Sequence, residues 1–191
     1  MVNTPDTRLH RLHEKTGYGP QVIRAILDAQ PLAHVGHLVA GFPVVTPTLQ
    51  WREGDRVYWH GSTASRMIRA ATGQPVSLCV TLLDGLVLAR SGLEHSVNFR
   101  SVMLFGLAEA VTDASAKARH LERMIEQMLP GRWPQLRPVT AQELKATALL
   151  SLPIDAASAK IGGRNADRSA RRSRLAGLGG GHSAAAGVRA T

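Results

Sequence analysis

Residues 57–67 read "VYWHGSTASRM", and the stretch changes character halfway along. Val57, Tyr58 and Trp59 carry the β-branched and aromatic side chains of a strand, whereas Ser65-Arg66-Met67 begins a short helical pattern. His60, Gly61, Ser62 and Thr63 stand between them. A turn and an N-cap explain a glycine followed by hydroxyls. The same junction also gathers what a phosphate needs: amides at a helix start, hydroxyls, and the guanidinium of Arg66. A basic residue in a first helical turn opposes the helix dipole unless an anion pairs with it. On these residues alone, cap and cradle both stay open.

Short strands surround the junction. Upstream, "PQVIRAILDAQ" (20–30) predicts a helix with Pro20 at its first position. "PLAHVGHLV" and "FPVVTPTLQWR" predict two strands joined through Ala40-Gly41, and "WREGDRVYW" predicts a hairpin turning at Gly54-Asp55. Downstream, "PVSLCVTLL" (75–83) predicts a strand ending at the Asp84-Gly85 turn signal, with "LVLAR" pairing back. "FRSVMLFGLAEAV" (99–111) predicts a long strand in which Gly106 marks a bulge or a close backbone approach. Asp113 caps the clearest helix, "DASAKARHLERMIEQMLPG", and Thr140 with Glu143 fits a capping box. "ATALLSLPID" (146–155) predicts a last strand. These elements sit too close together for parallel crossovers, so the expected fold is mainly β: an antiparallel, closed or nearly closed sheet with flanking helices.

The 191 residues fit one domain, and a hydrophobic content of 44% supplies a core. No apolar run reaches the ~20 residues of a membrane span, and the N-terminus lacks a signal-peptide segment. With one cysteine and no internal disulfide, the expected location is the cytoplasm. The net charge of +9 is uneven: residues 160–191 hold seven Lys/Arg against Asp167, leaving +3 on residues 1–159. Three segments are therefore expected: an N-terminal extension (1–19), a folded domain (20–160), and a disordered basic tail (161–191) too poor in apolar residues to fold.

Other candidate chemistry reads as structure. Cys79 lies inside an apolar strand, as a buried inert thiol does. His34 and His37 are three apart in a strand, so they face opposite ways and make a poor metal pair; no metal site is expected. There is no dinucleotide glycine fingerprint and no Ser-His-Asp arrangement. "HSVNFRS" (95–101) concentrates His95, Asn98, Arg100 and Ser101 before an apolar run, which an exposed strand end also explains.

Taken together, "WHGSTASRMIRA", "VTLLDGLVLARS", "HSVNFRSVMLFG" and "PGRW" resemble the pyridoxamine 5′-phosphate oxidase-related flavin-binding family. The branch most similar is that of flavin-nucleotide-binding proteins and nitroimidazole-resistance reductases. The resemblance runs from about Arg8 to Lys160. It implies an FMN-binding split β-barrel, a homodimer, and FMN in the groove between subunits. It implies that Ser65-Arg66 holds the FMN phosphate, with His60, Gly61 and Ser62 lining the same pocket and His60 as the active-site candidate. Asn98, Arg100 and Ser101 match the strand that approaches phosphate and ring, and Trp133 sits near the groove. Val45 and Thr46 belong to "FPVVTPT", which matches the strand running along the isoalloxazine; Phe42 replaces a residue that is usually polar there. The implied activity is an FMN-dependent oxidoreductase reducing a small organic acceptor with electrons from a reduced nicotinamide. A flavin carrier without turnover, or a haem-binding relative using His60 or His95, is the alternative.

The resemblance fails after "ASAK" (157–160). Relatives end in a strand resembling L-P-V-W-A-G-V-I-P-L. Translating that ending out of frame from GC-rich codons yields "LAGLGGGHSA", residues 175–184 here. The expectation is that the chain leaves the family's reading frame soon after Lys160. The basic tail is then no evolved nucleic-acid arm, and nucleic acid is not an expected partner. Resequencing codons 155–191 tests this.

Overall fold

The computed structural model describes residue 4, residues 16–17 and residues 19–163. The tail reading falls outside these residues, except at its first positions. In chain order the elements are β1 (Thr16–Gly17), α1 (Pro20–Ala29), β2 (Leu32–Val39), β3 (Phe42–Glu53), β4 (Arg56–Ser62), α2 (Arg66–Ala71) and β5 (Pro75–Val87). Then follow β6 (Ser96–Leu107), β7 (Glu109–Ala110), α3 (Ala114–Met128), α4 (Ala141–Ala146), β8 (Thr147–Pro153) and β9 (Ala156–Gly162). The strands form one sheet in the order β1-β9-β6-β5-β2-β3-β4-β8-β7, antiparallel throughout. This is the split barrel expected from the sequence.

Local chemistry sets the elements. Pro20 starts α1, whose Ile23, Ile26 and Leu27 are buried. The β2–β3 turn uses positive φ at Ala40 and Gly41, and the β3–β4 turn uses it at Gly54. Asp113 accepts the Ala116 amide at the start of α3, and Thr140 with Glu143 forms the capping box of α4. Arg137 and Thr140 hold the Glu143 carboxylate down to about 2.

The sheet curls until its two halves meet. The main core joins α1 to Val35, Trp59, Ile68, Leu78, Leu104, Leu150 and their neighbours. Gln50 donates to the Leu27 and Gln30 carbonyls at 2.7 and 2.6 Å, fastening α1 across the core. The strand expected over 99–111 changes partners at Ala108: β6 pairs with β5 and β9, and β7 with β8. Ala108 also bridges to Thr72. Gly106 is a close approach, since a Cβ there would stand 3.0 Å from Leu152 Cδ1.

Two expectations fail here. Asp84-Gly85 does not end a strand. The register shifts between Leu83 and Gly85 and β5 continues to Val87, because a bulge absorbs the turn-forming pair while Leu86 and Val87 pair with β6. Second, β9 was not foreseen. Its small residues pair with β6 along Phe99–Phe105, and it runs to Gly162, past the expected tail boundary at residue 161.

Candidate functional site

Cross-strand partners share a sheet face, so the register sorts the side chains. Gln50 pairs with Trp59, and both face the core. Trp51 pairs with Tyr58 on the other face, under α3. By alternation, Val45, Pro47 and Leu49 of β3 lie on that outer face with His60 and Ser62 of β4. His34 and Gly36 of β2, Ser77 and Cys79 of β5, and Ser101 of β6 extend it. The sequence therefore brings Val45, His60, Ser62 and Ser101 onto one surface. Thr46, Gly61, Asn98 and Arg100 alternate to the opposite face and meet that surface through their backbones.

His60 is half-buried beside Trp51, with ring centroids 6.1 Å apart. Its Nδ1 is buried and has no hydrogen-bond partner among the described residues. Burial holds the imidazole below its ordinary value of 6.5. The unfolded chain then takes up this proton more readily than the folded one. His60 therefore favours the fold fully above about pH 6.5, and that contribution is lost as pH falls through the depressed folded value. His60→Phe should flatten the thermal stability profile between about pH 5 and 7. Melting curves across that range that keep their wild-type slope would remove His60 as the cause.

The junction after β4 is a cap with unspent groups. Ser65 accepts the Ile68 amide as N-cap of α2, and Ser62 Oγ accepts the Ala64 amide at 3.1 Å. Arg66 is exposed and pairs with no described residue. The first amides of α2 have no intrahelical acceptor. Gly61 serves packing: a Cβ there would meet Ile68 Cγ1 at 2.9 Å.

Other expected residues are engaged elsewhere. Arg100 forms a two-pronged pair with Asp84, at 2.7 and 2.9 Å. His95 is exposed and lies 3.1 Å from the Ser91 carbonyl through Nδ1. The Trp133 amide donates to Glu126 at 2.6 Å, which sets the indole just past the end of α3. Cys79 corrects its sequence reading: it sits partly exposed on the outer face, 3.6 Å from Thr81 Oγ1, because the β5 register turns Leu78 and Val80 to the core instead. Among the described residues, no group of three or more His, Cys, Asp or Glu is placed to hold a metal ion. No helix among them is long and apolar enough to cross a membrane.

Two features escaped the sequence. Glu53 accepts from Trp51 at 2.9 Å and contacts His120 at 3.0 Å, while His120 stacks on Tyr58, pinning α3 over the outer face. Nothing in the helical spacing marks His120. The second is a cavity of about 350 Å³ over Gly36, walled by Leu38, Pro43, Val45, Ser77 and Phe105. Of the expected site residues only Val45 lines it.

The profile of the pyridoxamine 5′-phosphate oxidase family matches residues 20–161. No curated protein gives a significant match. Among solved structures, the flavocytochrome Anf3 from Azotobacter vinelandii is 45% identical, with a TM-score of 0.80 over 93% of this chain and 88% of that one. The FAD- and haem-binding protein from Mycobacterium smegmatis is 35% identical, with a TM-score of 0.76 over 93% and 94%. A putative 5-nitroimidazole antibiotic resistance protein from Bacteroides thetaiotaomicron shares the fold at 19% identity, with a TM-score of 0.63 over 76% and 86%. The chain belongs to the pyridoxamine 5′-phosphate oxidase family, a flavin-binding family.

Proposed function

We propose that this family member is a flavin-dependent redox protein that works as a homodimer. One observation carries the reading. A half-buried imidazole whose buried Nδ1 meets no described partner, a guanidinium that pairs with no described residue, and hydroxyls border one open sheet face, along which β3 runs apolar and exposed. Continuing the register past Gln50 and Trp59 sets His60 opposite Leu49, and Val45 lies four residues further along β3, about 13 Å at the rise of a strand. A flavin nucleotide covers a comparable distance from phosphate to ring. Arg66, Ser62 and the first amides of α2 would take the phosphate, with Ser65 fixing the turn. Val45, Thr46 and Ser101 would border the ring, and His60 would offer it a neutral imidazole. Flavin, when bound, supplies the electron transfer itself. The chain orients the ring, keeps water from it and leaves one edge open to a reduced nicotinamide and a small organic acceptor.

Exposed Leu38, Val45 and Leu83 leave one side of that ring bare in a single copy. A second copy, with α3 and Trp133 at the groove, would cover it. A single anion cradle favours FMN, whereas the mycobacterial relative binds FAD. Chromatography of heat-released flavin decides between them by the adenine.

A second reading, haem binding, is favoured by the same orphaned Nδ1 of His60. Neutral imidazole is the form that ligates iron, and two relatives above 30% identity are a flavocytochrome and an FAD- and haem-binding protein. The visible spectrum of the purified protein tests both readings. Flavin bands alone support the first, an added Soret band lost in His60→Ala supports the second, and a colourless protein that takes up neither cofactor refutes both. Sedimentation should give a dimer, and oxidation of a reduced nicotinamide in the presence of an acceptor should show turnover.

A further inference from the structure

We propose that the cavity over Gly36 seats the organic partner of the flavin, and that this partner is a small, flat, uncharged molecule rather than a phosphorylated one. The proposal rests on the flavin reading above and adds the class of molecule. Gly36 is the floor: it carries no side chain, and the Ser77 hydroxyl leans over it from β5, 2.5 Å from where a Cβ would stand. Leu38, Pro43, Val45 and Phe105 form the walls. A low floor of glycine and serine between apolar walls is a slot for a flat ring, and about 350 Å³ lies at the small end of ligand sites, which run from roughly 300 to 1,000 Å³.

Charge decides what enters. No Lys, Arg, Asp or Glu lines the cavity among the described residues. His37 lies on the lining, but strand alternation turns its ring to the core side, where it is 5% exposed and Nδ1 sits 3.3 Å from the Val35 carbonyl. A phosphate dianion would lose hydration here and find no cation among the described lining residues in return. The hydroxyl of Ser77 suffices to orient one polar substituent on a neutral ring. The cavity shares its sheet face with His60 and Ser62 and reaches Val45, so its occupant would meet the ring end of the groove rather than the phosphate end.

The test uses the full-length, flavin-loaded protein and two matched probes, 4-nitroanisole and 4-nitrophenyl phosphate, titrated by calorimetry. The neutral probe should bind at least about tenfold more tightly than the phosphorylated one. Ser77→Leu, which fills the slot, should weaken it by a similar factor while flavin absorbance is retained. Gly36→Ala, whose Cβ meets only a hydroxyl that can rotate, gives a second and milder filling should Ser77→Leu fail to fold. Equal or tighter binding of the phosphate ester overturns the proposal, as does unchanged affinity in a folded filling variant. Neutral-probe binding confined to flavin-free protein also overturns it, since the cavity is then the ring's own seat and the flavin reading stands. A chain that takes up no flavin overturns that parent reading instead, and probe binding lost on filling still supports a neutral-ligand site.

Discussion

Trp59→Ala is expected to cost the fold about 3–5 kcal/mol, the range for deleting a large buried aromatic side chain. Trp59 is wholly buried in the main core, paired across the sheet with Gln50 on one side and Leu150 on the other. Its removal opens a void that neither β3 nor β8 can close without abandoning its register. For a domain whose total stability is of order 5–15 kcal/mol, such a loss takes a large share. Trp59→Phe separates packing from polarity. The indole Nε1 is buried without a hydrogen-bond partner among the described residues, and an unmet donor itself costs about 1–3 kcal/mol. Phenylalanine gives up volume but removes that penalty, so it should cost far less than alanine. Urea unfolding monitored by circular dichroism measures both. Equal losses for Phe and Ala would mean that the N–H has a partner after all.

Arg66→Ala should weaken flavin binding by about 1.5–3 kcal/mol, the range for a hydrogen bond to a charged group. That corresponds to roughly 10- to 150-fold in dissociation constant. Arg66 is exposed, pairs with no described residue and follows the Ser65 cap directly, so its guanidinium is available to an incoming phosphate. The fold should be nearly indifferent to the change, because no hydrogen bond or ion pair to a described residue is lost. Arg66→Lys keeps the charge but not the planar fork and should fall between the two. Rising salt should narrow the gap between wild type and alanine. Quenching of flavin fluorescence on titration reads all three. An alanine variant of undiminished affinity would show that the phosphate sits elsewhere. Arg100 is the weaker candidate, since Asp84 already holds its guanidinium on two oxygens.

Much of the molecule was legible in its residues wherever the deciding interaction is local. Pro20 opening α1, Asp113 capping α3, the Thr140–Glu143 box and the Ala40-Gly41 and Gly54 turns are settled within a few residues, and sequence alone determines them. The opposite facing of His34 and His37 follows in the same way from strand geometry, with His37 buried and His34 exposed. The junction at 60–66 was half legible. Its cap is local and visible, but the burial of His60 Nδ1, with Trp51 beside the ring, comes only from tertiary packing. The tertiary structure alone decided the rest, because distant strands settle it. Pairing with β6 carries β5 through Asp84-Gly85 as a bulge, although the local signal is a turn. Alanine- and serine-rich β9 has little strand propensity of its own and is drawn into the sheet by β6. The register between β2 and β5 turns Cys79 outward and sets Gly36 beside Ser77. The low glycine–serine floor of the cavity exists only once those two strands lie side by side, which no stretch of sequence states by itself.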